Sequence, residues 1–330
     1  MEQSKRYTKS FVAVILILLI SGLILAIRLG SIQISFNDIY NSIFNFTETL
    51  ELMILRDVRI PRALAVFITG GILGVTGTMV QGVTKNPIAE PSILGINQGA
   101  TLVIAIFYAT GVTINTKNVM IASLIGAFCT GIIVLMFISN KSSSNSITKI
   151  LLAGTAMSTF FISLTTIVGL LSNQAQMIGF WVAGGFRNVT WADFNLVLVI
   201  GGIGFVLAIL ISQKLNILNL GDEVAIGLGE NPQKIRLIAL IIAIPMIAAA
   251  VAVGKNIAFL GLIVPQIIRK ILGDDYRRNI PISFFLGALI LTYSDIAARM
   301  VFEPYETPIG VFTALIGLPF FIIIARKERG

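Results

Sequence analysis

The sequence contains no histidine. That removes the commonest metal ligand and the usual general base near neutral pH, so zinc- or haem-centred chemistry inside this chain is not expected. A single cysteine, Cys129, excludes an internal disulfide. Charge is scarce as well: Asp, Glu, Lys and Arg make up 12% of the 330 residues, about half the share of a soluble domain. A phosphate-binding loop, GxxxxGKS or GxxxxGKT, is missing too. The nearest text, Gly254-Lys255-Asn256, has Ala249 where the first glycine belongs and ends in Asn. If the protein drives uphill movement with nucleotide, the hydrolysis belongs to another chain.

What fills the sequence instead is apolar. Hydrophobic residues make up 56% of it, and the mean hydropathy is +0.92. Ten apolar stretches lie near residues 11–27, 63–83, 93–110, 119–138, 148–171, 193–212, 236–254, 257–272, 281–302 and 308–325. A bilayer-spanning helix takes about 20 residues, so ten of them consume about 200 and leave no room for a soluble domain. The expectation is an all-α, polytopic membrane protein: one transmembrane unit over residues 1–330 with about ten spans. Lys5, Arg6 and Lys9 ahead of the run Phe11–Ile27 also fit a secretory signal. The run is long for a signal and is followed by Arg28-Leu29-Gly30 rather than a small-x-small cleavage site, which favours a first span. The eighth stretch is short and contains Pro265.

With the N-terminus placed in the cytoplasm, 16 of the 24 basic residues fall on the inner side. The positive-inside rule therefore supports both termini cytoplasmic. The outer eight are Arg28, Arg56, Arg59, Arg62, Lys117, Arg187, Lys255 and Arg299. On this count spans 2–5 run opposite to spans 7–10, giving two inverted four-helix sets, a transporter architecture. Arg56, Arg59 and Arg62 recur every three residues and share one broad face if helical. With Arg299 they are candidates for docking an acidic partner, since the guanidinium fork suits carboxylates. Local pairing with Asp57, Asp295 or Glu303 is the plainer alternative.

Span two carries Gly70, Gly71, Gly74 and Gly77, then Gln81. Such a face permits close helix packing. A helix lining a passage is the other reading, and Gln81 is its candidate pathway residue. The longest polar inner segment, 213–236, contains Leu220, Gly221, Asp222, Glu223, Ala225, Gly227, Leu228, Gly229 and Pro232. It reads as a short helix with acids at its N-terminal end, a glycine stop and a proline restart. This is either a linker or a docking knob for a cytosolic partner. Asp295 and Arg299 are four apart and can pair. The spans hold little other acidity, which argues against an ion-coupled secondary transporter. No convergent acid, base or metal groups suggest a membrane enzyme, and no cofactor is expected.

Several pieces, in order, resemble the permease subunits of the ATP-driven (type II) importers of ferric siderophores and cobalamin. They are Arg59-Ile-Pro-Arg62, Gln81, Lys85-Asn-Pro-Ile-Ala-Glu-Pro91 and Leu152-Ala-Gly154, followed by Trp181-Val-Ala-Gly-Gly-Phe186 and Leu220-Gly221 with Leu228-Gly229. Phe259-Leu-Gly-Leu-Ile-Val-Pro265, Asp295-Ile-Ala-Ala-Arg299 and Glu306-Thr-Pro-Ile-Gly310 complete the set. Gln266 stands where the family usually has His. The resemblance implies ten spans and a second permease subunit, either a copy or a paralogue. It implies two cytosolic ATPases and an extracytoplasmic substrate-binding lipoprotein in a bacterial cell membrane, with no nucleic acid. The substrate is a ferric siderophore, or cobalamin or haem in related branches. It further implies that Arg59, Arg62 and Arg299 meet glutamates of the binding protein. Residues Gly221 to Gly229 would form the ATPase coupling loop. Ile147 and Thr148 would form a cytoplasmic gate, with the passage between two permease subunits; an ordinary helix start is the alternative there.

Overall fold

The computed structural model describes residues 2–30, 34–35, 49–111, 116–139, 146–303 and 305–327. All regular structure among them is helical. The chain runs through α1 (Glu2–Arg28) and α2 (Leu50–Ile54), then a π turn (Leu55–Arg59) that leads straight into α3 (Ile60–Thr84). A 3-10 turn (Pro91–Leu94), α4 (Ile96–Ala109), α5 (Thr116–Ser139), α6 (Ser146–Leu171) and α7 (Ala175–Val182) follow. The remainder is α8 (Trp191–Asn219), α9 (Asp222–Gly227), α10 (Pro232–Gly254), α11 (Leu260–Leu272), α12 (Tyr276–Met300) and α13 (Ile309–Lys327).

Each of the ten apolar stretches carries one of these helices. Among the described residues, seven helices are long and apolar enough to cross a bilayer unaided. Helices α4 and α11 have only 14 and 13 residues, about 20 Å at 1.5 Å per residue, against a hydrocarbon core of about 30 Å. They begin where non-helical backbone is sheltered inside the protein, which is where a bilayer tolerates it. The start of α11 presses Gly261 against Gly77 of α3 and against Pro91 of the 3-10 turn.

Helix α3 is the hub. Its apolar window is 83% buried, against 22% for α1. The reason is the glycine row read in the sequence. A Cβ at Gly70 would strike Gly287 and Leu291 of α12, one at Gly74 the Ser283 carbonyl, and one at Gly77 the Gly261 carbonyl. Backbone meets backbone along this row, so the packing reading of the motif holds. Gln81, one turn beyond Gly77, is 1% exposed. Pro265 lacks an N–H and its ring crowds the carbonyl four residues back, on Gly261. The Gln81 amide donates to that carbonyl at 3.4 Å and to Leu262 O at 3.3 Å. Its own oxygen accepts from Gln266 at 3.2 Å and from Arg269. The structure thus turns Gln81 inward as a splint for a proline-broken helix.

Candidate functional site

Helix α6 exposes Thr155, Thr159, Ser163 and Thr166. At 100° per residue these positions fall within an arc of about 80°. Each hydroxyl returns its proton to a carbonyl of its own helix, at 2.9–3.1 Å. The row is therefore saturated as donors yet still offers oxygen lone pairs outward. Helix α8 is exposed over a similar length, but every exposed residue from Leu198 to Leu210 is aliphatic or glycine. Behind α6, Gly154 lies against the Ile93 carbonyl of the 3-10 turn. A cavity of about 410 Å³ opens between α4, α6 and α7.

At one end of the bundle stands α9. Gly221 enters it at φ 118° and Gly229 leaves at φ 80°, conformations that favour glycine. Asn231 then caps α10, accepting from Gln233 N at 3.0 Å and Lys234 N at 3.1 Å, with Pro232 at the first turn. Ala225 is buried, while Leu220, Val224, Ile226 and Leu228 are 47–64% exposed. Glu223, Gly227 and Gly229 are exposed beside them. Asp222 holds this helix to the bundle. It receives Lys85 Nζ at 2.7 Å and Arg236 Nη2 at 2.7 and 2.8 Å. Arg236 is buried and also donates to Val83 O at 3.3 Å. Burial pushes the Asp222 carboxyl up, but the two cations outweigh it and hold it below the ordinary carboxylate range.

At the opposite end, α1 terminates at Arg28 with carbonyls that no later N–H can satisfy. Arg59 donates to Ile27 O at 3.1 Å and Arg28 O at 2.7 Å. Arg299 donates to Leu29 O at 3.1 Å and Ala26 O at 3.0 Å. Two cations thus cap the negative end of the α1 dipole. Arg62 grips Asp295 at 2.9 Å and Glu306 at 2.6 Å. Arg299 pairs with Asp295 at 3.1 Å without hydrogen-bond alignment. Arg187 donates to Glu306 O at 3.1 Å. Burial raises the Glu306 carboxyl, yet Arg62 and Arg187 more than reverse this. Lys255 lies over the Trp181 ring at 5.9 Å. Burial lowers its pKa, and Arg187 and Arg62 lower it further. Arg59 and Arg62 are buried and Arg56 is exposed. The three-residue spacing does not place these arginines on one exposed face, because the helix passes through a π turn and its inner side is packed. Ile147 and Thr148 fall in the first turn of α6, but their side chains lie outside the described residues.

One group escaped the sequence reading. Glu90, in the connection after α3, accepts from the Phe259 N–H at the N-cap of α11. Burial raises its carboxyl to about 7, against smaller lowering by Phe259 and Ser92. Only its place between two prolines, in Pro87-Ile-Ala-Glu90-Pro91, hinted at a fixed position. Lys85 and Asp222 are 137 residues apart, and no local pattern could pair them.

A model of the FecCD transport family matches residues 16–327. The chain is 38% identical over 315 residues to the iron(3+)-hydroxamate import system permease protein FhuB of Bacillus subtilis, covering 95% of this chain and 82% of that protein. It is 36% identical to the Fe(3+)-citrate import system permease protein YfmD of the same organism, over 95% and 93%. It is 30% identical to the hemin transport system permease protein HmuU of Yersinia pestis, over 98% and 96%. A solved metal-chelate type ABC transporter in an inward-facing conformation shares the fold, with a TM-score of 0.84 at 24% identity over 97% of this chain and 99% of that one.

Proposed function

The chain belongs to the FecCD transport family, and from that premise we propose that two permease chains enclose a passage for a ferric siderophore between their α6 faces. It is a multi-pass permease subunit of an ATP-binding-cassette importer. The observation that carries the α6 assignment is the hydroxyl row Thr155, Thr159, Ser163 and Thr166 on an exposed membrane-depth helix. Polar side chains in a span face protein or water rather than lipid.

A separate ATPase docks on α9. Four exposed apolar side chains, two on a six-residue helix and one on either side of it, at a polar end form a knob that needs a groove. The Lys85–Asp222–Arg236 clamp ties that knob to the ends of α3 and α10, so a push on α9 reaches the two most buried helices. Placing this end and both termini in the cytoplasm follows the excess of basic residues there. An acidic binding protein docks on the opposite end, with Arg56 and Arg187 at the surface and Arg59, Arg62 and Arg299 holding the ends of α1, α3 and α12 beneath them. Ile147 and Thr148 gate the inner end of α6.

Reconstitution tests the reading. Proteoliposomes holding the permease, its ATPase and the loaded binding protein are expected to accumulate ferric siderophore only with ATP. Accumulation by the permease alone under a proton gradient would contradict it.

A further inference from the structure

A second, smaller cavity of about 110 Å³ lies at the arginine-rich end of the bundle. That volume admits a few water molecules or one small ion. It is below the range of small-molecule pockets, so the transported solute is not its occupant. Five charged side chains line it: Arg62, Arg187 and Lys255 against Asp295 and Glu306. Both carboxylates are already committed to arginine. Arg62 holds Asp295 at 2.9 Å and Glu306 at 2.6 Å, Arg187 lies 3.5 Å from Glu306, and Arg299 lies 3.1 Å from Asp295.

Lys255 is left over. Among the described residues its side chain enters no ion pair and no hydrogen bond, and its ammonium rests over the Trp181 ring. Burial, then repulsion from Arg187 and Arg62, disfavours that ammonium, and an anion beside it would offset both. The lysine is fixed in place. It follows the last residue of α10 at φ 61° and donates its N–H to Val251 O at 2.9 Å. The next residue, Asn256, presses its carbonyl on Gly184, where a Cβ would collide with it. The cavity also meets the start of α13, because Pro308 and Ile309 lie in its lining and Ile309 is the first residue of that helix. The positive end of a 19-residue helix dipole therefore adds to the cationic excess.

We infer that this cavity binds one small monovalent anion, chloride or an ion of its size and charge, between Lys255, Arg187 and the start of α13. The lining holds three cations against two carboxylates, so a single negative charge balances it. A divalent anion would bring one charge too many beside Asp295 and Glu306. The bound ion joins three segments distant in sequence: the chain after α7 that carries Arg187, the end of α10 and the start of α13. It stabilises this end of the bundle by pairing a cation that the protein itself leaves unpaired.

Thermal unfolding of the full-length permease assembled with its ATPase, and without any binding protein, tests this. Chloride replaces gluconate at constant ionic strength, gluconate being too large for the cavity. The parent is expected to show a saturable rise of about 3 °C at millimolar chloride. Bromide should act as chloride does, and sulfate should give no saturable rise. Lys255→Met is expected to unfold above the parent in gluconate, since an unpaired cation is gone, and to ignore chloride. Arg187→Gln, at a half-exposed position on the rim, provides a second arm that keeps the fold and should weaken chloride about tenfold. Crystals grown in bromide are expected to show an anomalous peak beside Lys255 Nζ in the parent and none in Lys255→Met. No saturable rise in the parent, or a parental rise in both variants, would overturn the site. A bromide peak elsewhere and none in this cavity would overturn it too. Lys255→Met unfolding below the parent in gluconate would contradict the unpaired charge on which the site rests. A rise with sulfate equal to that with chloride would overturn the monovalent class.

Discussion

Helices α6 and α8 make an instructive pair. Both cross the bundle near its edge, with 17% and 28% of their apolar windows buried, and mean hydropathy ranks both as spans. The difference lies in what they leave uncovered. Between Leu198 and Leu210, α8 offers only aliphatic side chains and glycine, a surface matched to lipid tails. Helix α6 threads a row of four hydroxyls through its exposed leucine, isoleucine and phenylalanine. Low burial therefore has two meanings. On α8 it marks lipid. On α6 it marks the surface proposed above to face a second chain and a solute.

The largest effect should come from placing a charge on each face. Val206→Lys puts an ammonium near the middle of α8, where insertion scales assign about 3 kcal/mol; Thr159→Lys, likewise near the middle of its helix, α6, is expected to cost less than about 1 kcal/mol if water reaches it. Folded yield in detergent and resistance to unfolding measure both, and equal losses would break the contrast. Next comes the drive from α9. Asp222→Ala frees α9 and strands the buried Arg236, so uptake is expected to fall about tenfold while ATPase binding to the membrane persists. Uptake at the parental rate would remove the clamp from the mechanism. A milder change is the triple variant Thr155→Val, Thr159→Val and Ser163→Ala. Because each of these hydroxyls donates to a carbonyl of its own helix, stability should move by no more than about 0.5 kcal/mol per site, while chelate flux falls severalfold. Val199→Thr with Val206→Thr on α8 should leave flux unchanged.

The smallest effect is pH-dependent. The 3-10 turn that supports α6 follows Glu90, whose folded-state pKa of about 7 lies above that of an exposed glutamate. The folded protein therefore holds this proton more tightly than the unfolded chain. Stability is highest below the ordinary glutamate range, falls as pH rises toward about 7, and levels off above it. Once the intrinsic base-catalysed exchange rate is divided out, amide protection around Ile93 and Gly154 is expected to fall as pH rises from 4.5 to about 7, with protection of α8 unchanged. Glu90→Gln should abolish the difference, and its persistence in that variant would assign it to another group.

The sequence made the helices legible because apolar runs of span length have few alternatives in a chain this poor in charge. The glycine row of α3 was legible for the same local reason: residues three and four apart share a face. The ends of the bundle were less so. The spacing of Arg56, Arg59 and Arg62 pointed to an exposed basic face, whereas Arg59 and Arg299 cap the end of α1 and Arg62 is committed to Asp295 and Glu306. Which carbonyls need a donor depends on where α1 stops relative to helices far away in sequence. Gln81 posed the same difficulty: the carbonyl it splints is 180 residues distant. Helix α7, with eight residues, is too short to leave a periodic signature of its own. The hydroxyls of α6 were visible in the sequence, but their exposure was not, since that depends on which neighbours cover the helix.

Cysteine accessibility addresses the α6 assignment most directly. In a Cys129→Ser background, single cysteines replace Thr155, Thr159 or Ser163 on α6 and Val199, Ile203 or Val206 on α8. The assembled transporter in lipid vesicles is then exposed to a membrane-impermeant thiol reagent. The α6 cysteines are expected to react, and the transported ferric chelate is expected to slow them, while the α8 cysteines stay unmodified. Unreactive α6 positions, or α8 positions that react equally, would contradict the assignment of α6 to the passage.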